Sequence, residues 1–422
     1  MSTIASEFEK NLDKYAEVII KVALNLQPGQ KLCISSKFTF GVSIELAPLI
    51  RLITKKAYQI GARLVEVMWY DEIIHLTRFQ HAPNDSFNEF PTWKYDYLCR
   101  HIKEGNPILY ISAYNPDLLA KQSLEKLLLF KQTYFKRIEP IEKLGEDHPS
   151  NNTVVAFSVK GWANKVFPDL PLENRKEKLW DMIFEMSRVK NEDPISAWRD
   201  HINHLKVRCN YLNHKQYTAL SLKAPGTDLI IGLPRDHIWK SGTLITKSGI
   251  EHVPNIPTEE VCTLPHKDKT EGFVTATMPL YDGENLIEDF KLTFSKGKII
   301  KMSAEKGEEF LQNLINMDEG ASRLGEIALV PHSSPVSQMN TLFYNTLIDE
   351  NASCHLAFGR GYRFCIKNGE KMSDKKFATV GGNYSKIHVD FMIGSGEMDV
   401  DGIRKDGTTE SIMRNGEWTF QI

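Results

Sequence analysis

The chain has 422 residues, of which 41% are hydrophobic and 25% charged, the composition of a folded globular protein. Its 52 basic and 54 acidic residues give a net charge of −2, which argues against nucleic acid or an anionic membrane as a partner. No apolar run approaches the roughly 20 residues that cross a bilayer, and no secretory signal is recognised. The six cysteines lack CxxC spacing, so we expect reduced thiols in a cytoplasmic protein.

The first half of the sequence alternates between helical and strand patterns. From Phe8 to Leu26, apolar residues recur at three- and four-residue spacing, which predicts an amphipathic helix ended by Pro28-Gly29. Short apolar runs predict strands, with helical stretches between them, at residues 31–36, 64–69, 107–113 and 153–159. This alternation predicts βαβ crossovers and an α/β fold, with a doubly wound, mostly parallel sheet and helices on both faces.

The pattern changes after about residue 190. Glycine turns separate short predicted strands at residues 228–232, 272–278, 290–294 and 298–302, and one clear helix is predicted at 307–316. We therefore predict an N-terminal α/β domain over residues 1–190 and a C-terminal β-rich mixed domain over residues 191–422.

The N-terminal half offers no clear chemical signal. It contains neither GxGxxG nor GxxxxGK[ST], so nucleotide binding has no support there. His201 and His204 are three residues apart on a predicted helix, but no carboxylate at suitable spacing completes a metal site. We interpret this histidine pair as part of a solvated helix face.

The strongest chemical signal lies in the run IHVDFMI, residues 387–393, where His388 and Asp390 alternate with bulky apolar residues. On a strand, residues two apart point to the same face, so the imidazole and the carboxylate project together. Polar groups in such an apolar setting need a partner. A metal ion is one candidate and a structural Asp–His hydrogen bond is the other, and this motif alone leaves both open.

Other acidic and imidazole side chains also occur in strand-like apolar segments. Glu326 lies within LGEIALV, His355 lies within ASCHLAF, and Glu259-Glu260 precede a third such segment. Taken singly, each side chain is compatible with a satisfied core polar group or a surface charge. Together they supply the nitrogen and oxygen donors expected for paired divalent cations. The catalytic chemistry is therefore predicted in the C-terminal domain.

Four segments of the second half, in order along the chain, resemble the aminopeptidase T family of metal-dependent exopeptidases. They are PTEEVCT at 257–263, GEIALVPHSSP at 325–335, FYNTLIDENASCHLAFG at 343–359 and KIHVDFMIGSGEMDVDG at 386–402. The N-terminal segment ending in LNLQPGQ is also similar to that family. The resemblance spans essentially the whole chain.

The resemblance implies a ligand set and a catalytic residue. The implied metal ligands are Glu260, Glu326, His355, His388 and Asp390. The catalytic tyrosine of the family falls on Tyr362, and the spacing to Glu326 favours Glu260 over Glu259. The resemblance also implies a cytoplasmic homodimer with two divalent ions, zinc or cobalt, that cleaves the N-terminal residue from peptides with a free N-terminus. Manganese is also compatible with nitrogen and oxygen ligands.

This ligand set suits hydrolysis. Five residues leave open coordination positions for water and substrate, and a pair of ions lowers the pKa of a shared water. The Tyr362 phenol is the candidate donor to the developing oxyanion, and either Glu259 or Glu350 is a candidate general base, if one is needed. We predict a metalloaminopeptidase. The alternatives are a metal-dependent amidohydrolase acting on another amide, and a non-catalytic binding protein that the metal stabilises.

Overall fold

The computed structural model describes residues 6–37, 39, 41–281 and 285–420, without the side chains of residues 146 and 147. The chain forms two compact units. Unit 1 comprises Met1–Arg199 and Thr243–Ile256, and unit 2 comprises Asp200–Gly242 and Pro257–Ile422. The predicted boundary between residues 190 and 191, as a division into domains, stays a prediction.

The helix predicted from Phe8 to Leu26 is present as the α-helix Glu7–Val18 (α1) followed by the π-helical turn Ile19–Ala23. Ser6 and Glu9 form a capping box at its start, which satisfies the first free backbone N–H groups. The α-helices of the described residues are α1 Glu7–Val18, α2 Ala47–Gln59, α3 Glu72–His81, α4 Thr92–Lys103, α5 Leu124–Asp147, α6 Lys160–Val166, α7 Leu172–Met186, α8 Pro194–Lys215, α9 Glu308–Ile315, α10 Pro335–Gln338, α11 Thr346–Asp349 and α12 Asp374–Thr379. Among the described residues, no helix has both the length and the apolar character needed to span a membrane.

Strands dominate the second half of the chain. The strands of the described residues are β1 Lys31–Ser35, β2 Val42–Ser43, β3 Leu64–Val67, β4 Trp69–Tyr70, β5 Ile108–Ser112, β6 Thr153–Ala156, β7 Ala219–Ala224, β8 Thr227–Gly232, β9 Lys240–Ser241, β10 Leu244–Ile245, β11 Glu251–His252, β12 Asn255–Ile256, β13 Val261–Thr263, β14 Thr270–Thr275, β15 Leu280–Tyr281, β16 Leu286–Ile287, β17 Lys291–Ser295, β18 Lys298–Ser303, β19 Leu324–Leu329, β20 His355–Gly359, β21 His388–Met392, β22 Asp399–Ile403, β23 Thr409–Arg414 and β24 Glu417–Trp418.

Unit 1 contains a parallel sheet with the strand order β12-β6-β5-β1-β3. The chain leaves β1 through α2 to reach β3 on one side, and then returns through α4 and α5 to β5 and β6 on the other side. Because such crossovers are right-handed, reversing direction at β1 places helices on both faces of the sheet. The predicted α/β fold with a doubly wound sheet is confirmed. The strand β12 joins this sheet from the later segment Thr243–Ile256, which the sequence did not suggest.

Unit 2 is built on two antiparallel sheets, as predicted for a β-rich mixed domain. One has five strands in the order β21-β20-β19-β13-β9, and the other has eight in the order β18-β17-β14-β8-β7-β22-β23-β24. Buried apolar residues of both sheets, such as Leu222 and Ile231 of one and Leu356 and Phe391 of the other, belong to a single cluster. One face of the five-stranded sheet is therefore core, and its other face is available for chemistry.

Candidate active site

The predicted ligands on strands lie on one face of the five-stranded sheet. Successive strand residues point to opposite faces, so each strand contributes both to the core and to the site. Ile327 of β19, Leu356 of β20 and Phe391 of β21 are buried in the apolar cluster. Their neighbours Glu326 and Asp390 are outside that cluster and point to the other face. The alternation that the sequence shows is therefore the alternation between core and site.

The strand register places the carboxylates of Glu326 and Asp390 on either side of one residue of β20. Ala357 of β20 pairs with Glu326 of β19 on one side and with Asp390 of β21 on the other. Directly paired residues on neighbouring strands have side chains on the same face, about 5 Å apart. The methyl group of Ala357 thus separates the two carboxylates and leaves space above the sheet between them.

A glycine supports the histidine at the start of β21. Gly359 pairs with His388 and has a φ of +92°, a conformation that residues with a side chain rarely adopt. A Cβ atom at this position would lie 2.2 Å from the carbonyl oxygen of Ile387. Only glycine therefore lets the backbone come this close beneath His388.

A second set of residues paired across the strands positions the His355 imidazole and the Glu260 carboxylate. Ala328 of β19 pairs with His355 on one side and with Cys262 of β13 on the other. Glu260 lies two residues before Cys262 and immediately before β13, on the same side. Its Oε2 atom is 3.0 Å from Nε2 of His355.

These side chains form two groups of metal-ligand type with one shared member. In each group, one potential ligand atom from every residue lies within 4.8 Å of the others. The groups are Glu260, Glu326 and His355, and Glu326, His388 and Asp390. Glu326 Oε1 lies 4.0 Å from the Nε2 atom of His355, and Glu326 Oε2 lies 3.4 Å from that of His388. The Glu326 carboxylate therefore stands between the two groups.

Backbone carbonyls fix the orientation of both imidazoles. Nδ1 of His355 lies 3.1 Å from the carbonyl oxygen of Ser353, and Nδ1 of His388 lies 2.7 Å from that of Arg360. A carbonyl oxygen only accepts hydrogen bonds, so each Nδ1 must carry the proton and donate it. In the neutral ring, the Nε2 lone pair of each histidine is then directed at the carboxylates, which is the usual arrangement of a metal-ligating histidine.

The burial and the charges of these side chains favour positive charge on this face. Burial lowers the pKa of His355, but the hydrogen bond and charge of Glu260 outweigh burial and raise it to about 10. For His388, burial also acts downward, while Asp390 and Glu326 raise the pKa well above its usual value. Burial raises the pKa of Glu326. Its Oε2 atom is buried and makes no hydrogen bond to any described residue. These are properties expected where a cation belongs.

Tyr362 lies beside His388, with ring centroids 4.5 Å apart, and stacks on Phe364 at 5.0 Å. Burial raises the pKa of its phenol well above the usual value, and the charges of Glu326 and Asp390 raise it further. The hydroxyl group therefore keeps its proton at neutral pH. Tyr362 is accordingly placed next to the acidic face as a hydrogen-bond donor.

Glu259 belongs to neither ligand group. Its buried carboxylate lies 3.6 Å from Nε2 of His201 on α8, and its backbone N–H donates to the side-chain oxygen of Asn351. His201 also bonds the carbonyl oxygen of Thr258 at 2.8 Å and is mostly buried, so its interpretation as a solvated residue was wrong. That interpretation holds for His204, which is exposed.

Glu350, the other candidate general base, begins the 3₁₀ turn Glu350–Ala352. It shares the wall of a small cavity with Asp390. Burial raises its pKa well above the usual value, and the neighbouring charges of Asp390 and Glu260 add to this effect. Glu350 is therefore close to the acidic face without being a member of either ligand group.

The small residues Ala328, Ala357 and Gly359 also belong to the site, although no sequence motif predicted them. They lie directly opposite ligand candidates across the sheet and leave room above it. A signal was present, because HLAFG has histidine, alanine and glycine at alternate positions on the side opposite its bulky residues. The orienting carbonyls of Ser353 and Arg360 left no signal, since every residue has one.

Comparisons with known proteins show what this chain is similar to. The family model described as thermophilic metalloprotease (M29) matches residues 8–418. Aminopeptidase 2 of Geobacillus stearothermophilus is 42% identical over 99% of this chain and 100% of its own length. Aminopeptidase AmpS of Bacillus subtilis (strain 168) is 41% identical over 98% of this chain and 99% of its own. The structure of wild-type AmpT from Thermus thermophilus aligns with a TM-score of 0.91 at 40% identity, covering 98% of this chain and 100% of that one. The resemblance found in the sequence motifs is thereby confirmed, and the chain belongs to the M29 family of thermophilic metalloproteases.

Proposed function

We propose that this protein is a metalloaminopeptidase that removes the N-terminal residue of peptides with a water activated by two divalent metal ions. The observation that carries the proposal is the pair of ligand groups sharing Glu326 on one face of the sheet. The curated relatives are named aminopeptidases, which supports peptides with a free N-terminus as the substrates.

The donor set fits a pair of divalent ions. Glu260 and His355 would hold one ion, His388 and Asp390 the other, and Glu326 would contribute to both. Two features support this assignment: the imidazole Nε2 atoms face the carboxylates, and one buried oxygen of Glu326 makes no hydrogen bond within the described part of the chain. Nitrogen and oxygen donors of this kind suit zinc, cobalt or manganese.

When bound, the ions would supply a water of lowered pKa and polarise the scissile carbonyl group. The chain provides the remaining functions. Tyr362, which keeps its proton and lies beside His388, would donate a hydrogen bond to the carbonyl oxygen as negative charge develops there. Its role as the catalytic tyrosine remains part of this proposal.

The two candidate general bases differ in their surroundings. Glu259 is engaged with His201 and belongs to neither ligand group, so it is poorly placed to take a proton from a water at this face. Glu350 shares a cavity wall with Asp390 and is closer to the site. If the reaction needs a side-chain base, the surroundings favour Glu350 over Glu259.

The proposal also includes a cytoplasmic homodimer, which the aminopeptidase T resemblance implies. Sedimentation of the purified, metal-loaded protein tests the dimer directly, with a mass of twice 48.2 kDa expected. A single species of 48.2 kDa at micromolar concentration would contradict it.

The activity is tested with paired substrates. The protein is stripped with a chelator, reloaded with zinc, cobalt or manganese, and given dipeptides with a free or an acetylated N-terminus. We expect hydrolysis of the free dipeptides only, with E326Q as the inactive control. Equal hydrolysis of both forms would favour an amidohydrolase with another substrate. Metal-dependent stabilisation without cleavage of any peptide would favour a binding protein.

A further inference from the structure

Asn383 is a buried polar residue that makes three hydrogen bonds to the main chain near His388. Its side-chain amide donates to the carbonyl oxygen of Gly359 at 2.6 Å and to that of Gly320 at 2.9 Å. Both acceptors are carbonyl oxygens, so the group that faces them must be the NH₂ of the amide, which supplies two donors. The backbone carbonyl of Asn383 accepts a third hydrogen bond, from the N–H of Gly361 at 2.9 Å. Asn383 therefore holds the chain at Gly359 and Gly361, on either side of one residue.

The residue between these two glycines is Arg360, whose carbonyl group orients His388. The Arg360 carbonyl oxygen accepts a hydrogen bond from Nδ1 of His388 at 2.7 Å, and the Arg360 N–H donates to the carbonyl oxygen of Ile387 at 2.7 Å. Both main-chain groups of Arg360 are thus bound to the start of β21. Because Nδ1 is bound to this carbonyl, the direction of the Nε2 lone pair of His388 depends on where the carbonyl lies.

The Arg360 carbonyl also lies close against β19. A Cβ atom on Gly325 would be 2.4 Å from the Arg360 oxygen. The register between β19 and β20 shifts between Leu324 and Glu326, so Gly325 is the extra residue of a β-bulge. The carbonyl is therefore in close contact with the backbone immediately before Glu326, at a position that is open because residue 325 has no side chain.

A purely structural role for Asn383 would be to satisfy buried carbonyl groups and so to stabilise unit 2. The contacts are more specific than that, because two of the three hydrogen bonds go to the neighbours of Arg360. His388 belongs to the ligand group with Glu326 and Asp390, whereas His355 belongs to the other group and is oriented by a different carbonyl. A disturbance at Asn383 should therefore reach one ligand group and spare the other.

We infer that Asn383 is a positioning residue that orients His388 through the Arg360 carbonyl and so sets the affinity of the Glu326–His388–Asp390 group for its metal ion. This inference rests on the proposed function for the presence of the ions. Loss of a group that orients a metal ligand commonly weakens metal binding by about 10- to 100-fold. Asn383 acts one residue further from the ion, so we expect the lower end of this range, about 10-fold.

The test measures the two ligand groups separately. E260Q alters one group and D390N the other, so each variant leaves one group complete. Both variants are prepared metal-free, with and without N383L, and titrated with Zn²⁺ by calorimetry. Leucine is close to asparagine in size but has no donor. We expect N383L to weaken Zn²⁺ binding about 10-fold in the E260Q background, where the His388 group is complete, and to leave it unchanged in the D390N background. N383Q keeps the amide NH₂ on a longer side chain and should recover part of the affinity.

The matched control is N151L in the E260Q background. Asn151 is a buried residue of unit 1, and its side-chain amide donates to the carbonyl oxygen of Leu24 at 2.7 Å. N151L thus removes a comparable buried donor in the unit that contains none of the five ligand candidates. Zn²⁺ affinity should equal that of E260Q alone.

Equal weakening in both backgrounds by N383L would overturn the inference, because it would indicate a general loss of structure. Unchanged affinity in both backgrounds would overturn it as well. If N383L does not fold, N383Q carries the same comparison, and weakening in the E260Q background alone is again required.

Peptide cleavage is measured separately with wild type and N383L. The Zn²⁺ concentration that gives half-maximal hydrolysis should be about 10-fold higher for N383L. If N383L weakens only the His388 group but wild type cleaves no peptide, the proposed function fails and the positioning role of Asn383 stands. If wild type cleaves peptides while N383L affects both groups equally or neither, this inference alone fails.

Discussion

Glu326 offers the sharpest test of the metal centre because it is common to both ligand groups. Replacing it with glutamine keeps the shape of the side chain and removes its charge. We expect E326Q to lose ions from both groups, whereas E260Q and D390N each alter one group. About two ions per chain are expected in wild type, about one in each single-group variant, and fewer than one in E326Q.

The same substitution should change stability in opposite directions with and without metal. In the metal-free protein, burial raises the pKa of Glu326, so its charge opposes folding and E326Q should be as stable as wild type or more stable. With each ion at about 100 times its Kd, binding stabilises the folded state by about 2.7 kcal/mol per site, or about 5 kcal/mol for both. In a unit of roughly 200 residues, this corresponds to about 10–20 °C in melting temperature.

The assay is a pair of thermal unfolding curves for each variant, one in excess chelator and one with metal, together with elemental analysis of the loaded protein. The expected result is a large metal-dependent rise in melting temperature for wild type that E326Q nearly abolishes. Intermediate rises are expected for E260Q and D390N. Two ions and the full rise in melting temperature in E326Q would refute a centre shared through Glu326, and so would strong destabilisation of E326Q in chelator.

Y362F removes a hydrogen-bond donor and should lower kcat about 10²- to 10³-fold with metal content unchanged; loss of metal would instead indicate a structural role. A357L places a large side chain between the strands that carry Glu326 and Asp390. It should lower the metal content, measured by elemental analysis, and the free energy of unfolding by about 1–3 kcal/mol, measured by denaturant unfolding. Glu410 is a test of pH dependence: burial raises its pKa, but hydrogen bonds from Lys215 and Arg404 outweigh this and lower it to about 2. The ionised Glu410 therefore stabilises the fold above the unfolded pKa of about 4.3, and this stabilisation is lost as pH falls towards 2. E410Q should lower the free energy of unfolding by about 1–2 kcal/mol at pH 7 and by little at pH 2. An equal difference in unfolding free energy at both pH values would contradict this assignment.

The local part of the site could be predicted from the sequence because strand geometry is local. The run IHVDFMI alternates polar and bulky residues, and a period of two places His388 and Asp390 on one face whatever the rest of the chain does. The alternation of strands and helices in the first half likewise predicted the parallel sheet, since such crossovers have few stable solutions.

The sequence could not predict contacts that depend on register between distant strands. Glu259 and Glu260 are adjacent and chemically identical, so the local pattern does not distinguish them. The spacing implied by the family resemblance favoured Glu260, and the pairing of β13 with β19 supplies the physical reason. That pairing places Glu260 near His355, while Glu259 is engaged with His201. The return of Thr243–Ile256 to unit 1 is equally invisible in the sequence, because two-residue strands carry almost no pattern.

The sequence by itself determined the family, the fold class of each half of the chain, and which acidic and imidazole side chains are candidate metal ligands. These features follow from sequence motifs and local periodicity. Only the tertiary structure decided that Glu326 stands between the two ligand groups, that backbone carbonyls fix both imidazoles, and that Glu350 shares a cavity wall with Asp390. The reason is physical. Distances between side chains on separate strands are set by how the whole sheet packs on its core, and that packing is a property of all its residues together.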